Sequence, residues 1–250
     1  MKISPVAKIS LSGLILALTI IFTRFLSIQN IPFIPFVRIS LGPALIIFSS
    51  IFLGPLYGAV IGGASDILGI LLVPNALGYS INPWFTLIYT VLGILPWCVF
   101  TLFKKIKSEK VSLISIIAVL AALWIFILVY GLTHTTIHNY TFSIGLKIAI
   151  FAVTFVLLAL TGVGILLIKK KFDSDGISVN NVAITCLVSE TLVMLIANSI
   201  VKSLFFEVDI IVVLFFSAIV FFIDIPLNTI VVSYLLKLAN KVFYKNKEVL

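Results

Sequence analysis

The sequence predicts an all-α integral membrane protein, a compact bundle of about eight transmembrane helices, and three observations carry that reading. First, 62% of the 250 residues are hydrophobic and only 10% are charged, with a mean hydropathy of +1.30. Soluble domains are roughly half apolar. Second, apolar runs of the roughly 17–25 residues needed to cross a hydrocarbon core recur along the whole chain. Third, the basic residues behind the net charge of +8 gather in clusters between those runs. That placement belongs to membrane topology, so the bilayer is the expected surface and nucleic acid is set aside as a partner.

The first apolar segment, 5–28, is too long for a signal-peptide core and reads as a span. The second, SLGPALIIFSSIFLG at 39–53, is about 22 Å long at 1.5 Å per residue, so it is expected to lie tilted or recessed. Gly54-Pro55 ends it and opens the third span, 55–73, because proline suits a first helical turn. Further spans fall at 83–103, 111–133, 145–168, 180–203 and 209–236. Eight crossings place both termini on one side. That side collects Lys2, Lys8, Lys104, Lys105, Lys107, Lys110, Lys169, Lys170, Lys171, Lys237, Lys241, Lys245 and Lys247, and by the positive-inside rule it is cytoplasmic. Only Arg24, Arg38, Lys147 and Lys202 fall near the external ends of spans. Cys98 and Cys186 sit inside apolar runs and read as packing residues.

Arg24 and Arg38 are the only arginines in the chain, and they flank one loop, TRFLSIQNIPFIPFVRIS. A lone cation at a helix end snorkels to headgroups. Two guanidinium groups around one proline- and aromatic-rich loop point instead to a small anionic ligand, since their forked donors grip a carboxylate as ammonium cannot. Across the same side, VPNALGYSINPWFT supplies Tyr79, Trp84 and Phe85. These rings form either an interfacial belt or a wall for a planar ligand. Asn198 and Lys202 stand one turn apart on the outer half of the seventh span, placed to line an external pocket. In GAVIGGASDILG the glycines Gly58, Gly62 and Gly69 share a stripe that suits tight helix packing, and Asp66 is a carboxylate that needs a partner, cavity or pathway. Glu190 reads as structural, while Asp224 stays open. His134 and His138 lack a third metal ligand. No phosphate-binding GxxxxGK[ST] loop occurs, so the chain carries no P-loop ATPase of its own, and no GxSxG or HExxH appears to suggest an enzyme.

TRFLSIQ with PFVRISLG, then IFLGPLYGAVIGGASDILGILLVP, and then PWFT opening the next helix resemble the substrate-binding S component of energy-coupling factor (ECF) vitamin transporters, the folate-type branch in particular. The likeness covers about 5–100, with a fainter echo in ANSIV and IPLN at 190–236. It implies a subunit of a prokaryotic cell membrane that captures a vitamin from outside, topples to release it, and works with a transmembrane scaffold subunit and two cytoplasmic ATPases. The chain itself then needs no cofactor, because the partners use the ATP. Gly13 and Ala17 occupy the small-residue motif that meets the scaffold. Gln29 and Thr86 join Arg24, Arg38, Tyr79, Trp84, Phe85, Asn198 and Lys202 as candidate substrate-binding residues. The resemblance further implies a six-helix core, 1–104 and 176–250, with a helix pair inserted at about 108–170 into one transmembrane domain. Two departures stand out: the branch's Pro-x-Arg-x-x-Lys pattern is replaced by Phe215, Ser217 and Val220, and a tryptophan by Val201. The competing expectation is a stand-alone proton- or ion-coupled transporter of a small organic anion using Asp66 or Asp224, though the halves show no internal repeat.

Overall fold

Ser4 opens the first helix by accepting the Ala7 N–H at 3.2 Å, with Pro5 in the first turn where a missing N–H costs nothing. A computed structural model describes residues 4–28, 37–73, 82–105, 109–137, 140–172 and 178–243. The helices are α1 (Pro5–Ile20), prolonged by a π-helical stretch at Ile21–Phe25, then α2 (Gly42–Leu53), α3 (Pro55–Leu72), α4 (Pro83–Lys105) and α5 (Glu109–Thr133). A two-stranded hairpin, β1 (Thr136–Ile137) with β2 (Tyr140–Thr141), leads to α6 (Ile144–Phe172). The next rod is α7 (Val179–Ser189), a π-helical stretch at Glu190–Ala197 and α8 (Asn198–Phe206). The last helix is α9 (Ile210–Phe243).

Seven of these rods are long and apolar enough to cross a membrane, and α2 is the shorter eighth. The expected eight segments are therefore present. The first helical rod ends at Phe25, three residues before the predicted limit, because Ile28 leaves helical geometry to pair with Ile39. The last runs on to Phe243.

Every residue of α2 is buried, and it packs against α1, α3, α4 and α9. A helix that is apolar all round requires protein on every side, and α2 takes a central position among its neighbours. Gly54 turns the chain from α2 into α3 at φ 108°, ψ 166°, a backbone conformation open essentially to glycine alone. The α3–α4 crossing is close enough that a Cβ on Gly58 would overlap the Gly93 carbonyl, and one on Gly62 the Tyr89 carbonyl. Pro96 interrupts α4, and the neighbouring Trp97 N–H is bonded by the buried Ser50 hydroxyl of α2 at 3.1 Å.

Two apolar clusters result. One joins α1–α4 to α7–α9 through residues such as Ile47, Ile61, Leu92, Val182 and Leu236. The other joins α5 and α6 to the far side of α7 and α9, around Phe142, Phe215 and Phe216. Tyr130, stacked on His134 at 4.3 Å, lies tilted on Phe215 at 5.3 Å.

Candidate functional site

The end of the bundle opposite the first residues of α1 holds most of the polar chemistry. There the π-helical stretch brings Arg24 across α3. Its Nη2 donates to the Asp66 carboxylate and to the Asp66 carbonyl oxygen, both at 3.3 Å. The two side chains are only 4% and 5% exposed. Thr86, in the first turn of α4, donates its hydroxyl to the other carboxylate oxygen of Asp66 at 2.9 Å. A Cβ on Gly69 would come within 2.6 Å of Arg24 Nε, so that glycine clears the path by which the guanidinium reaches Asp66.

Arg38 takes a different position. Its Nη2 donates to Tyr89 Oη at 2.8 Å and its Nη1 to the Thr23 carbonyl at 3.4 Å. The antiparallel bridge between Ile28 and Ile39, with N–H to O distances of 2.9 and 3.1 Å, anchors the chain immediately before it. The guanidinium is thereby held by neutral groups on two elements. Lys202 of α8 and Asp224 of α9 lie within electrostatic reach of it and of each other, and all three side chains are half-buried. Asp224 stands about 21 Å along α9 from its first residue at 1.5 Å per residue. Below it, the Asn228 amide donates to Glu190 Oε1 at 2.9 Å inside the bundle, with Glu190 only 2% exposed. Glu190 is thus a buried, hydrogen-bonded group.

The remaining candidates divide. Asn198 is buried beside Ser199, whose hydroxyl donates to Ser217 at 3.4 Å. Trp84, Phe85 and Thr86 point three ways, as consecutive helical positions must. Thr86 meets Asp66, Phe85 packs inward and edge-on to Phe205 at 5.9 Å, and Trp84 is 63% exposed. Trp84 instead lines an uncharged groove of about 570 Å³ between α4 and the α7–α8 rod, together with Leu87, Ile200, Val201 and Leu204. Gln29, Tyr79 and His138 lie outside the described residues. Among those described, no group of three metal-ligating side chains occurs. Gly13 and Ala17 face outward on α1, and nothing lies within 4 Å of a Cβ built on Gly13. The positions that depart from the folate branch are filled by packing: Phe215 and Val220 are buried, and Ser217 bonds Ser199.

Sequence reasoning left Asp66 without a partner and passed over Tyr89. The opposite charges of Arg24 and Asp66 were the available signal, but they are 42 residues apart. Tyr89 carries no signal at all within an apolar run.

A bundle of helices long and apolar enough to cross a membrane, with paired and hydrogen-bonded cations at one end, has the form of a multi-pass membrane protein. The chain belongs to the S components of ECF-type riboflavin transporters: that family's profile matches residues 4–170, which spans α1 through most of α6. It is accordingly a multi-pass protein of the cell membrane and a transporter component. It is also similar to a protein of Clostridium novyi (strain NT) named folate transporter FolT, with 37% identity over 98 residues, 39% of this chain and 52% of that protein. The chain thus spans about half the length of the curated relative it matches. No solved structure gives a significant match.

Proposed function

We propose that this chain is the substrate-capture subunit of an ATP-driven ECF-type importer and that its cargo is folate or a related anionic aromatic vitamin. The observation that carries the reading is Arg38 held by Tyr89 Oη at 2.8 Å and the Thr23 carbonyl at 3.4 Å, with Lys202 and Asp224 within electrostatic reach of it. A planar guanidinium with a fixed orientation suits a carboxylate, because less of its donor geometry has to be ordered on binding. Arg24 serves the same site through Asp66 and Thr86, fixing the outer ends of α1, α3 and α4 around it. The likeness to a folate transporter favours an anion over uncharged riboflavin.

Energy comes from elsewhere in this reading. A transmembrane scaffold subunit and two cytoplasmic ATPases supply it, and the outward-facing Gly13 and Ala17 offer α1 a close approach to the scaffold. The lysine-rich ends of the helices face the cytoplasm and the arginine end faces outward.

The test is calorimetric titration of the detergent-purified chain with folic acid, riboflavin and related aromatic acids. Nanomolar binding of an anionic compound without any partner protein is expected. Binding of riboflavin alone would overturn the anion assignment, and uptake into liposomes driven by a pH gradient without any ATPase would overturn the capture role.

A further inference from the structure

The groove of about 570 Å³ between α4 and the α7–α8 rod takes no part in the polar site. Leu87 and Val91 line it from α4, and Val193, Ala197, Val201 and Leu204 line it from the rod. Val193, Ala197 and Val201 recur every four residues and so form one stripe of small side chains, where the π-helical stretch gives way to α8 at Asn198. The polar members of the lining, Asn82 and the Trp84 indole, both stand at the arginine end, where the Asn82 side-chain oxygen accepts the Trp84 backbone N–H at 3.0 Å. Phe205, edge-on to the buried Phe85 at 5.9 Å, braces the wall at that end.

Length, width and setting identify what fills this groove. From Asn82 to Val91, and from Val193 to Phe205, the lining covers about 14 to 18 Å of helix at 1.5 Å per residue, close to the roughly 15 Å of one leaflet of a 30 Å hydrocarbon core. Spread over that length, 570 Å³ is a cross-section of about 30–40 Å², well below the roughly 80–110 Å² of a helix 10–12 Å across. The groove is also continuous with the lipid-facing surface, since Leu87, Ile200 and Leu204 are 51%, 42% and 76% exposed on helices that cross the membrane. A slot one leaflet deep, too narrow for a helix and apolar below its mouth, fits a single acyl chain. A chain lying on a flat protein surface touches protein on one side only. Seated in the groove it packs on both, and that dispersion, which an empty groove forfeits, is what favours a fixed position in lipid.

We propose that the groove is a phospholipid site in the leaflet at the arginine end, with one acyl chain laid between Leu87 and Val201 toward Val193 and the headgroup level with Asn82 and Trp84, where an interfacial tryptophan belongs. The site is separate from the cargo. It lies in the seam between α4, which also bears Thr86 and Tyr89, and α8, which bears Lys202.

The test reconstitutes the full chain in phosphatidylcholine liposomes containing a phosphatidylcholine with a diazirine midway along one acyl chain, and maps the photolabelled residues by mass spectrometry. Residues 82–91 and 193–205 are expected to carry about 5-fold or more label than the lipid-exposed faces around Ile125 of α5 and Val153 of α6, because only the groove holds the chain on two sides. Val201→Trp fills the groove and should bring its label down to the level of those faces, whereas Ile125→Trp should leave it unchanged. Equal labelling of all faces in the wild type, or a groove label that survives in folded Val201→Trp, overturns the site and leaves only the contacts of any lipid-facing surface. Should Val201→Trp fail to fold by gel filtration, Ala197→Leu takes its place with the same expected loss. Displacement of the label by folic acid or riboflavin would give the groove to the cargo, and displacement by the ECF partner subunits would give it to a protein; either overturns the lipid assignment.

Discussion

The two arginines that mark the sequence do different work, and substitutions can separate them. Arg38→Lys keeps the charge and loses the fork that meets Tyr89 Oη and the Thr23 carbonyl. It is expected to weaken folic acid binding about 10-fold or more at unchanged expression, because a point charge does not reproduce bidentate geometry; calorimetry against wild type reads this directly, and unchanged affinity would remove Arg38 from the site. Arg24 is coupled to stability. Asp66→Asn leaves the guanidinium almost fully buried beside a neutral amide, and breaking a buried pair in this way costs about 3–5 kcal/mol. A clear fall in Tm of the purified protein is expected, with the double variant Arg24→Gln/Asp66→Asn less destabilised than Asp66→Asn alone. If the double variant is as damaged as the sum of its parts, the pair is not coupled. The arginines were legible from their scarcity and their position around one loop. Their partners were not, since nothing local to Arg24 points to a carboxylate on α3.

At the scale of elements, glycine carries two opposite meanings that the sequence shows with the same letter. Gly58 and Gly93 face one another across the α3–α4 crossing, where a methyl group on either would strike backbone. Backbone yields less readily than a flexible side chain, so Gly58→Ala is expected to cost about 1–3 kcal/mol through overpacking, read as a lowered Tm. Gly13 on α1 has open space around it instead. Gly13→Leu should therefore leave Tm and folic acid binding of the isolated chain unchanged, yet abolish uptake when the ECF partner subunits are present. Retained uptake would remove α1 from the partner surface. The small-residue spacing that singled out both stripes cannot distinguish them, because spacing places residues on one face of a helix without saying what that face meets. The π-helical stretches at Ile21–Phe25 and Glu190–Ala197 were likewise invisible, since their apolar composition is that of any span.

For the whole molecule, hydropathy sufficed for the number of membrane segments because a bilayer imposes one length scale on every span. It did not reveal which helices share a core. The α5–α6 pair is as apolar as the rest, and only the packing places it against the outer side of α7 and α9 while α2 occupies the centre. In lipid no difference in hydrophobicity drives that choice, so a linear pattern of apolar residues contains little of it. Orientation is the property of the whole chain that charge does encode. The arginine end carries few basic residues, whereas Lys104, Lys237 and Lys241 lie toward the other ends of their helices, which predicts an inward-facing lysine end. Single cysteines in a Cys98→Ala background test this in intact cells: Thr135→Cys, exposed just before the hairpin, should react with a membrane-impermeant maleimide, and Lys241→Cys, exposed near the end of α9, should react only after permeabilisation. Cys186 is buried and contributes no background. The reverse pattern would place Arg38, Lys202 and Asp224 on the cytoplasmic side, and a capture subunit cannot take a solute from outside with its site turned inward.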